Sequence, residues 1–299
     1  MLGSGGIELI ADTLESLPYG KYHSIWRRLT QLDRAVELRN MGIGYGTIAR
    51  MIGVSKGEVI NWLTGRYHPL RRHVTPTISS QFAYVIGAWI GDGCLFRDRK
   101  RWMNYTRLVV KDADFALAFA ESLASSFRKE KPSNIYSRKD GRSAVSVNNR
   151  ILYDFLLASR TRSELLKPVI KMCPGSFLTG FWDAEGSISE AKYGPSIRAF
   201  NTRRDVIRLV KYALDRLTVH YTVTSLKRPS VFVGPRNGKV YHRKHRILYT
   251  ISVRACCGLR FARCVDMKIK RKAERLPTVE KITTAVSKHC TWPNPAVHD

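Results

Sequence analysis

Asp92 and Glu185 are the residues whose setting most suggests chemistry. Asp92 ends the run YVIGAWIGDG, and Glu185 ends FLTGFWDAEG 93 positions later (185 − 92). Both runs read as helices, and Gly93 and Gly186 stand where a C′ glycine ends a helix. Each acid then sits in a last turn, opposed by unpaired carbonyls and the negative end of the helix dipole. Gly87 and Gly91 are four apart and share a face, as do Gly180 and Ala184. Small faces of this kind let two helix backbones come close. If these helices pack on each other, the two carboxylates approach as well, which is costly for like charges. A hard divalent cation relieves both costs, because Mg2+ takes carboxylate and carbonyl oxygens. One such acid would be an ordinary solvated helix end; two in register point to a shared metal site.

The elements around the acids repeat in the same order. After Asp92 come a hairpin in CLFRDRKRWMNYTRLVV and a helix striped by Phe115, Phe119, Leu123 and Phe127, with Asp112 as its N-cap. A second hairpin turns at Asp140-Gly141, and ILYDFLLASR reads as a closing helix. After Glu185 the order recurs. A hairpin turns at Gly194-Pro195, and Val206, Leu209, Val210, Ala213, Leu214 and Leu217 line a helix. A longer hairpin with an Asn237-Gly238 turn follows, then a helix through Arg275. Each unit therefore reads α-β-β-α-β-β-α.

The chain has 299 residues, 44% of them hydrophobic, and a formal net charge of +27. That supports a folded core, and the charge points to a polyanion, with nucleic acid as the partner of choice. The hairpins hold much of the charge: Arg97, Arg99, Lys100, Arg101 and Arg107 in the first, Arg138, Lys139 and Arg142 in the second, and Lys192 and Arg198 in the third. The last carries Lys227, Arg228, Arg236, Lys239, Arg243 and Lys244. A sheet with one apolar and one basic face would lay these along the polyanion. The six cysteines form no CxxC pair, and no Cys/His spacing suits a zinc site, so they read as buried thiols in a reducing compartment. No run is long enough to span a bilayer, and no signal peptide opens the chain. The expectation is a protein without a membrane, cytoplasmic, nucleoid-associated in a prokaryote, with an organelle as the other setting.

VIGAWIGDG and LTGFWDAEG resemble the two signature motifs of the LAGLIDADG homing endonucleases, and the resemblance covers about residues 78–275. Ile90 departs from the motif where the second copy has Asp183. Two motifs in one chain resemble the monomeric, pseudo-symmetric members. The resemblance implies an α+β fold in which the two repeats form a pseudo-twofold saddle of two antiparallel sheets over double-stranded DNA. It implies site-specific, Mg2+- or Mn2+-dependent hydrolysis of one phosphodiester on each strand, serving intron mobility, with no small-molecule cofactor. Asp92 and Glu185 would hold the metals with the carbonyls of Gly91 and Ala184. A basic catalytic residue is implied near each metal: Lys270 in MKIKRK for the second unit, with Lys268 behind it, and Lys167 or Lys111 for the first. Non-cleaving relatives of the family, RNA-splicing maturases or transcription factors, are the alternative; both acids are present here, which favours cleavage.

Ahead of the repeats, residues 33–63 read as helices, and the segment 34–66 resembles a helix-turn-helix of the resolvase and repressor type. Ala35, Val36, Leu38, Ile48, Ala49, Met51, Val59, Ile60 and Leu63 would be the apolar positions, and Ser55 the N-cap of the last helix. Lys56, Glu58, Asn61 and Arg66 would be left for DNA. The Gly- and Pro-bearing stretch Thr64 to Ser80 reads as a linker. The organisation expected is a small all-α DNA-binding module and linker over 1–75, a first repeat over 76–175, and a second repeat with a C-terminal tail over 176–299.

Overall fold

The computed structural model describes residues 25–67, 76–98, 100, 103–189, 195–233 and 238–276. Contacts divide the chain into two units, Met1–Pro76 with Asn149–Ala158, and Thr77–Asn148 with Ser159–Asp299.

In the first unit, α1 (Ile25–Asn40), α2 (Tyr45–Ile52) and α3 (Lys56–Leu63) enclose a small core of Ala35, Leu38, Ile48, Ala49 and Val59. Gly53 ends α2 at φ +70, and Ser55 opens α3 with a capping box. The Ser55 hydroxyl accepts from the Glu58 amide at 3.2 Å, and the Glu58 carboxylate accepts from the Ser55 amide at 3.4 Å. Val36 and Met51, expected in the core, are exposed, and Trp62 is buried instead. On α1 the buried positions are Leu32, Ala35 and Leu38, three apart, and Val36 falls off that face. α6 (Arg150–Ser159) carries the buried Ile151, Leu152, Phe155 and Leu156. Its residues 149–158 group with this unit although the sequence reading puts them at the end of the first repeat; contacts, and not chain order, draw that line.

The second unit holds two four-stranded antiparallel sheets. The first follows α4 (Ser80–Asp92) and comprises β1 (Gly93–Asp98), β2 (Met103–Val110), β3 (Ile135–Ser137) and β4 (Ser143–Asn148), in the order β1-β2-β4-β3. α5 (Ala113–Ser126) lies between its hairpins in sequence. The short α7 (Lys167–Met172) leads into α8 (Pro174–Glu185). The second sheet has the order β5-β6-β10-β7, from β5 (Gly186–Ser189), β6 (Ser196–Asn201), β7 (Tyr221–Lys227) and β10 (Ile247–Val253), with α9 (Arg204–Arg216) after β6. β8 (Val231–Val233) and β9 (Val240–His242) pair as a separate ribbon that extends the last hairpin. The chain then continues through α10 (Gly258–Cys264) to α11 (Lys270–Ala273).

α4 and α8 cross in direct backbone contact. A Cβ on Gly87 would lie 2.0 Å from the Phe177 carbonyl oxygen, and one on Gly180 would lie 2.1 Å from the Tyr84 carbonyl oxygen. Phe177 is to Glu185 what Tyr84 is to Asp92, so the two contacts are reciprocal, as a twofold relation requires. At the helix ends, Gly93 and Gly186 are not left-handed caps; their φ values are −81 and −80. Glycine is needed there because a Cβ would meet the Trp89 or Trp182 ring at 2.2 and 2.4 Å.

The sheets do not present one basic face. Side chains alternate, and pairing places Cys94 opposite Arg107 and Arg97 opposite the buried Asn104. Arg97 therefore shares the parity of the core-facing positions and is exposed only because it lies near the strand's end. In the second sheet Arg198 stands between Ser187 and Ser252 on the outer face. Both outer faces are mostly hydroxyl-bearing, amide, small and aromatic, with Arg107 and Arg198 as their interior cations. Lys139, Lys227 and Lys239 are exposed in or beside turns, and Arg138 likewise. Arg99, Arg101, Lys192 and Arg236 lie outside the described residues.

The expected helix through Arg275 is broken. Val265, Met267 and Ile269 are buried while Asp266, Lys268 and Lys270 are exposed, which is an extended, period-two segment.

The close approach of α4 and α8 can be tested. Gly87→Ala or Gly180→Ala should each destabilise the second unit by about 1–3 kcal/mol or more, as overpacking does. Urea denaturation should show it, with Gly57→Ala, whose Cβ meets nothing within 4 Å, near wild type.

Candidate metal centre

The reciprocal packing sets Asp92 and Glu185 side by side at the C-terminal ends of α4 and α8. A Cβ on Gly91 would meet the Ala184 Cβ at 2.3 Å and the Glu185 Cγ at 2.9 Å, so the two ends are in contact. Burial pushes the Glu185 carboxyl up to about 7, and the neighbouring Asp92 charge adds to the rise. Lys272 and a hydrogen bond from Asn201 oppose it. Asn201 Nδ2 donates to Glu185 Oε1 at 3.1 Å and so orients that carboxylate. Asp92 is also raised, first by the protein wall around its carboxylate, although the residue stays open to solvent on one side. Lys272 lowers it and Asp112 raises it. The carbonyls of Gly91 and Ala184 belong to last turns, which have no following helical N–H to receive. Two close carboxylates held above their ordinary range beside such carbonyls form an oxygen-donor set that suits a hard divalent cation.

A cleft of about 270 Å³ opens beside Asp92. Its lining includes Lys111, Asp112, Arg142, Asp183, Ala184, Arg271 and Lys272. Lys272 is the buried cation of this site. Its Nζ donates to the Trp182 carbonyl at 2.9 Å and the Asp183 carbonyl at 2.6 Å, and burial pulls its pKa down. Lys270, the residue expected here, offers its backbone N–H to Asp114 at 2.8 Å while the side chain is exposed. Lys268 pairs with Asp266. Lys167 is exposed, with its ammonium 5.9 Å from the Tyr212 ring centroid. Neither Lys167 nor Lys270 lines the cleft. Ile269 is buried, and a residue three further on returns to the same side of a helical turn; that is the signal that singles out Lys272. Asp112 occupies the N-cap of α5 but makes no cap hydrogen bond. It takes a bidentate pair from Arg271 at 2.8 and 2.8 Å, which holds its pKa down.

Asp183 explains why Ile90 breaks the pattern. Its buried carboxylate accepts from the amides of Lys268 and Ile269 at 3.1 and 3.3 Å and from the Tyr84 hydroxyl at 3.1 Å. Burial raises it to about 6 against those hydrogen bonds. Its acceptors are committed to the chain, so it fastens the segment that carries Lys272. Ile90, half-buried at the matching place in the first repeat, has no carboxylate for such a task.

Of the other expected contacts, Arg107 donates to the Ser146 hydroxyl at 2.9 Å and lies over the Phe96 ring. Arg142 and Arg138 both pair with Asp140, Arg142 at 2.6 Å, so part of their charge is offset. Arg243 stacks on Phe232 at 3.9 Å, and Arg228 is half-buried. In the first unit Lys56, Asn61 and Arg66 are exposed.

Residues 173–255 match the family model described as the LAGLIDADG-like domain. The match spans the second repeat from α8 to β10. The first repeat shares its element order and its reciprocal helix contact. A Methanocaldococcus jannaschii protein, the uncharacterized protein MJ0398, is 29% identical over 271 residues, 87% of this chain and 96% of that protein. Among solved structures, the homing endonuclease I-DmoI in complex with DNA and Mn is 18% identical, over 63% of this chain and 97% of that one, with a TM-score of 0.43. The homing endonuclease I-WcaI bound to its DNA recognition sequence is 12% identical, over 73% and 92%, with a TM-score of 0.41. Among the described residues, no helix is long and apolar enough to cross a membrane.

The raised Glu185 pKa fixes a pH signature. Between its ordinary 4.5 and about 7, the folded chain holds a proton that the unfolded chain has lost. This group's contribution to stability therefore falls as pH rises through that window. A cation must displace the proton, so the thermal stabilisation by Mn2+ should be larger one unit above pH 7 than one unit below it. Differential scanning calorimetry at both values checks this, and Glu185→Gln should remove the difference.

Proposed function

We propose that the chain is a metal-dependent, site-specific endonuclease that cuts both strands of double-stranded DNA. The observation that carries the reading is the pair of close carboxylates, Asp92 and Glu185, at the ends of two crossing helices in a chain of net charge +27. Two acids forced together in a strongly basic protein have little use unless cations and phosphates join them. The match to the LAGLIDADG-like domain supports the same reading.

Asp92 and Glu185, with the carbonyls of Gly91 and Ala184, would hold Mg2+ or Mn2+. Bound divalent cations supply an activated water and charge relief at the leaving oxygen. Asn201 keeps the Glu185 carboxylate turned toward the site. Lys272, fixed by two carbonyls, places a positive charge beside Asp92, where negative charge builds on the phosphate. Lys111 and Arg142, also in the cleft, are suited to the phosphate backbone. Arg107 and Arg198 lie on the outer sheet faces among hydroxyls, a surface able to hydrogen-bond base edges. Arg138, Lys139, Lys227, Arg228, Lys239 and Arg243, around the turns, would supply affinity to phosphates, and Lys56, Asn61 and Arg66 would add contacts from the first unit. The two repeats within one chain suit a monomer on a pseudo-symmetric target.

The test is cleavage of a DNA library in Mg2+, followed by binding measurements on the selected target. Asp92→Asn and Glu185→Gln should each abolish cutting and keep target affinity within about threefold. Lys272→Met should lower the cleavage rate by about 100-fold, the scale of one lost electrostatic group, while Lys270→Met and Lys167→Met stay near wild type. A wild-type chain that binds its selected target but never cuts it in Mg2+ or Mn2+ would leave a binder and remove the nuclease.

A further inference from the structure

A second cluster lies apart from the acids. His220 ends the loop before β7, and Cys256 and Cys257 follow β10. β7 and β10 pair from Tyr221 opposite Val253, and the Arg254 amide donates to the His220 carbonyl at 2.9 Å. The last hairpin is thus closed at its base by this His and the two thiols. The ligand atoms of all three residues lie within 4.8 Å of one another.

Three features of the cluster point to a bound ion. Both ring nitrogens of His220 are enclosed and have no hydrogen-bond partner. A neutral imidazole carries one donor and one acceptor, and leaving both unmet in a closed site is unfavourable. The two sulfurs stand 3.9 Å apart and form no disulfide. Two thiolates on one zinc ion, at about 2.3 Å each and a tetrahedral angle, lie roughly 3.8 Å apart. Cys257 is buried and its sulfur accepts from the His220 amide at 3.3 Å, which ties the two sides of the site together.

We infer that His220, Cys256 and Cys257 form a structural site for a zinc-class cation that fastens the base of the last hairpin. Its imidazole and thiolate donors select a borderline or soft ion, whereas the carboxylates and carbonyls at Asp92 and Glu185 select a hard one. The two sites would hold different metals in one chain. Three protein donors leave a fourth position for water or another group. The ion would hold β7 against β10, and with them the ribbon of β8 and β9.

Cobalt(II) titration of the reduced full-length protein, with Mg2+ in excess to occupy the acid pair, tests this directly. One cobalt per chain should bind with a thiolate-to-cobalt charge-transfer band, and Zn2+ should displace it. Cys256→Ser, an isosteric change at a partly exposed position, should weaken cobalt binding by more than about 10-fold, since loss of a ligand exceeds loss of its supporting contacts. His220→Ala should do the same, with circular dichroism confirming that the variant is folded. Absence of the charge-transfer band overturns the site. So does a band whose affinity is unchanged in folded His220→Ala, because the adjacent thiols alone would then account for it.

Discussion

The backbone contact between α4 and α8 is the constraint on which the rest depends. Two helices that touch through glycine approach more closely than side chains would allow, and the reciprocal meeting of Gly87 with Phe177 and Gly180 with Tyr84 leaves little freedom to slide. Their C-terminal ends are therefore brought together, and each end carries an acid. The destabilisation felt by Glu185 follows from that packing. Strands leave each helix end at once through Gly93 and Gly186, so the same contact also sets where the two sheets begin.

The symmetry stops at the C-terminal segment. Residues 265–272 serve the second helix through Asp183 and Lys272, and reach the first repeat through Asp112 and Asp114. One short segment, extended and then helical, thus binds both halves and delivers a buried ammonium to the shared cleft. The first repeat has Ile90 where the second has Asp183, because the acid's task there is to hold this segment. The two acid positions are consequently equivalent in backbone and unequal in surroundings: burial and Lys272 act on both, while Asn201 acts on Glu185 and Asp112 on Asp92.

Charge placement follows strand geometry more than composition. The chain is strongly basic, yet the outer faces of the sheets are mostly uncharged, with Arg107 and Arg198 within them and most other described cations of the hairpins at strand ends and turns. A long flexible cation costs little at a turn, while a sheet interior favours short and β-branched side chains that pack across strands. Affinity and discrimination can then come from different residues, the turns gripping phosphates and the sheet faces reading what lies between them.

Much was legible in residue order. The two glycine-flanked acids, the small-residue faces, the repeated order of helices and hairpins, and the Ser55 cap are local or periodic signals, and local spacing specifies local structure. The period-two alternation of Val265, Met267 and Ile269 was also present, but a run rich in lysine reads as helix until an acceptor such as Asp183 is known to take its amides. Which lysine of MKIKRK turns inward, whether Asp112 caps a helix or binds Arg271, and the meeting of His220 with Cys256 and Cys257 depend on partners tens to more than a hundred residues away. Sequence alone determined that two acids would stand at paired helix ends. Only the tertiary structure decided what surrounds them, because burial and charge are properties of neighbours in space and not of neighbours in the chain.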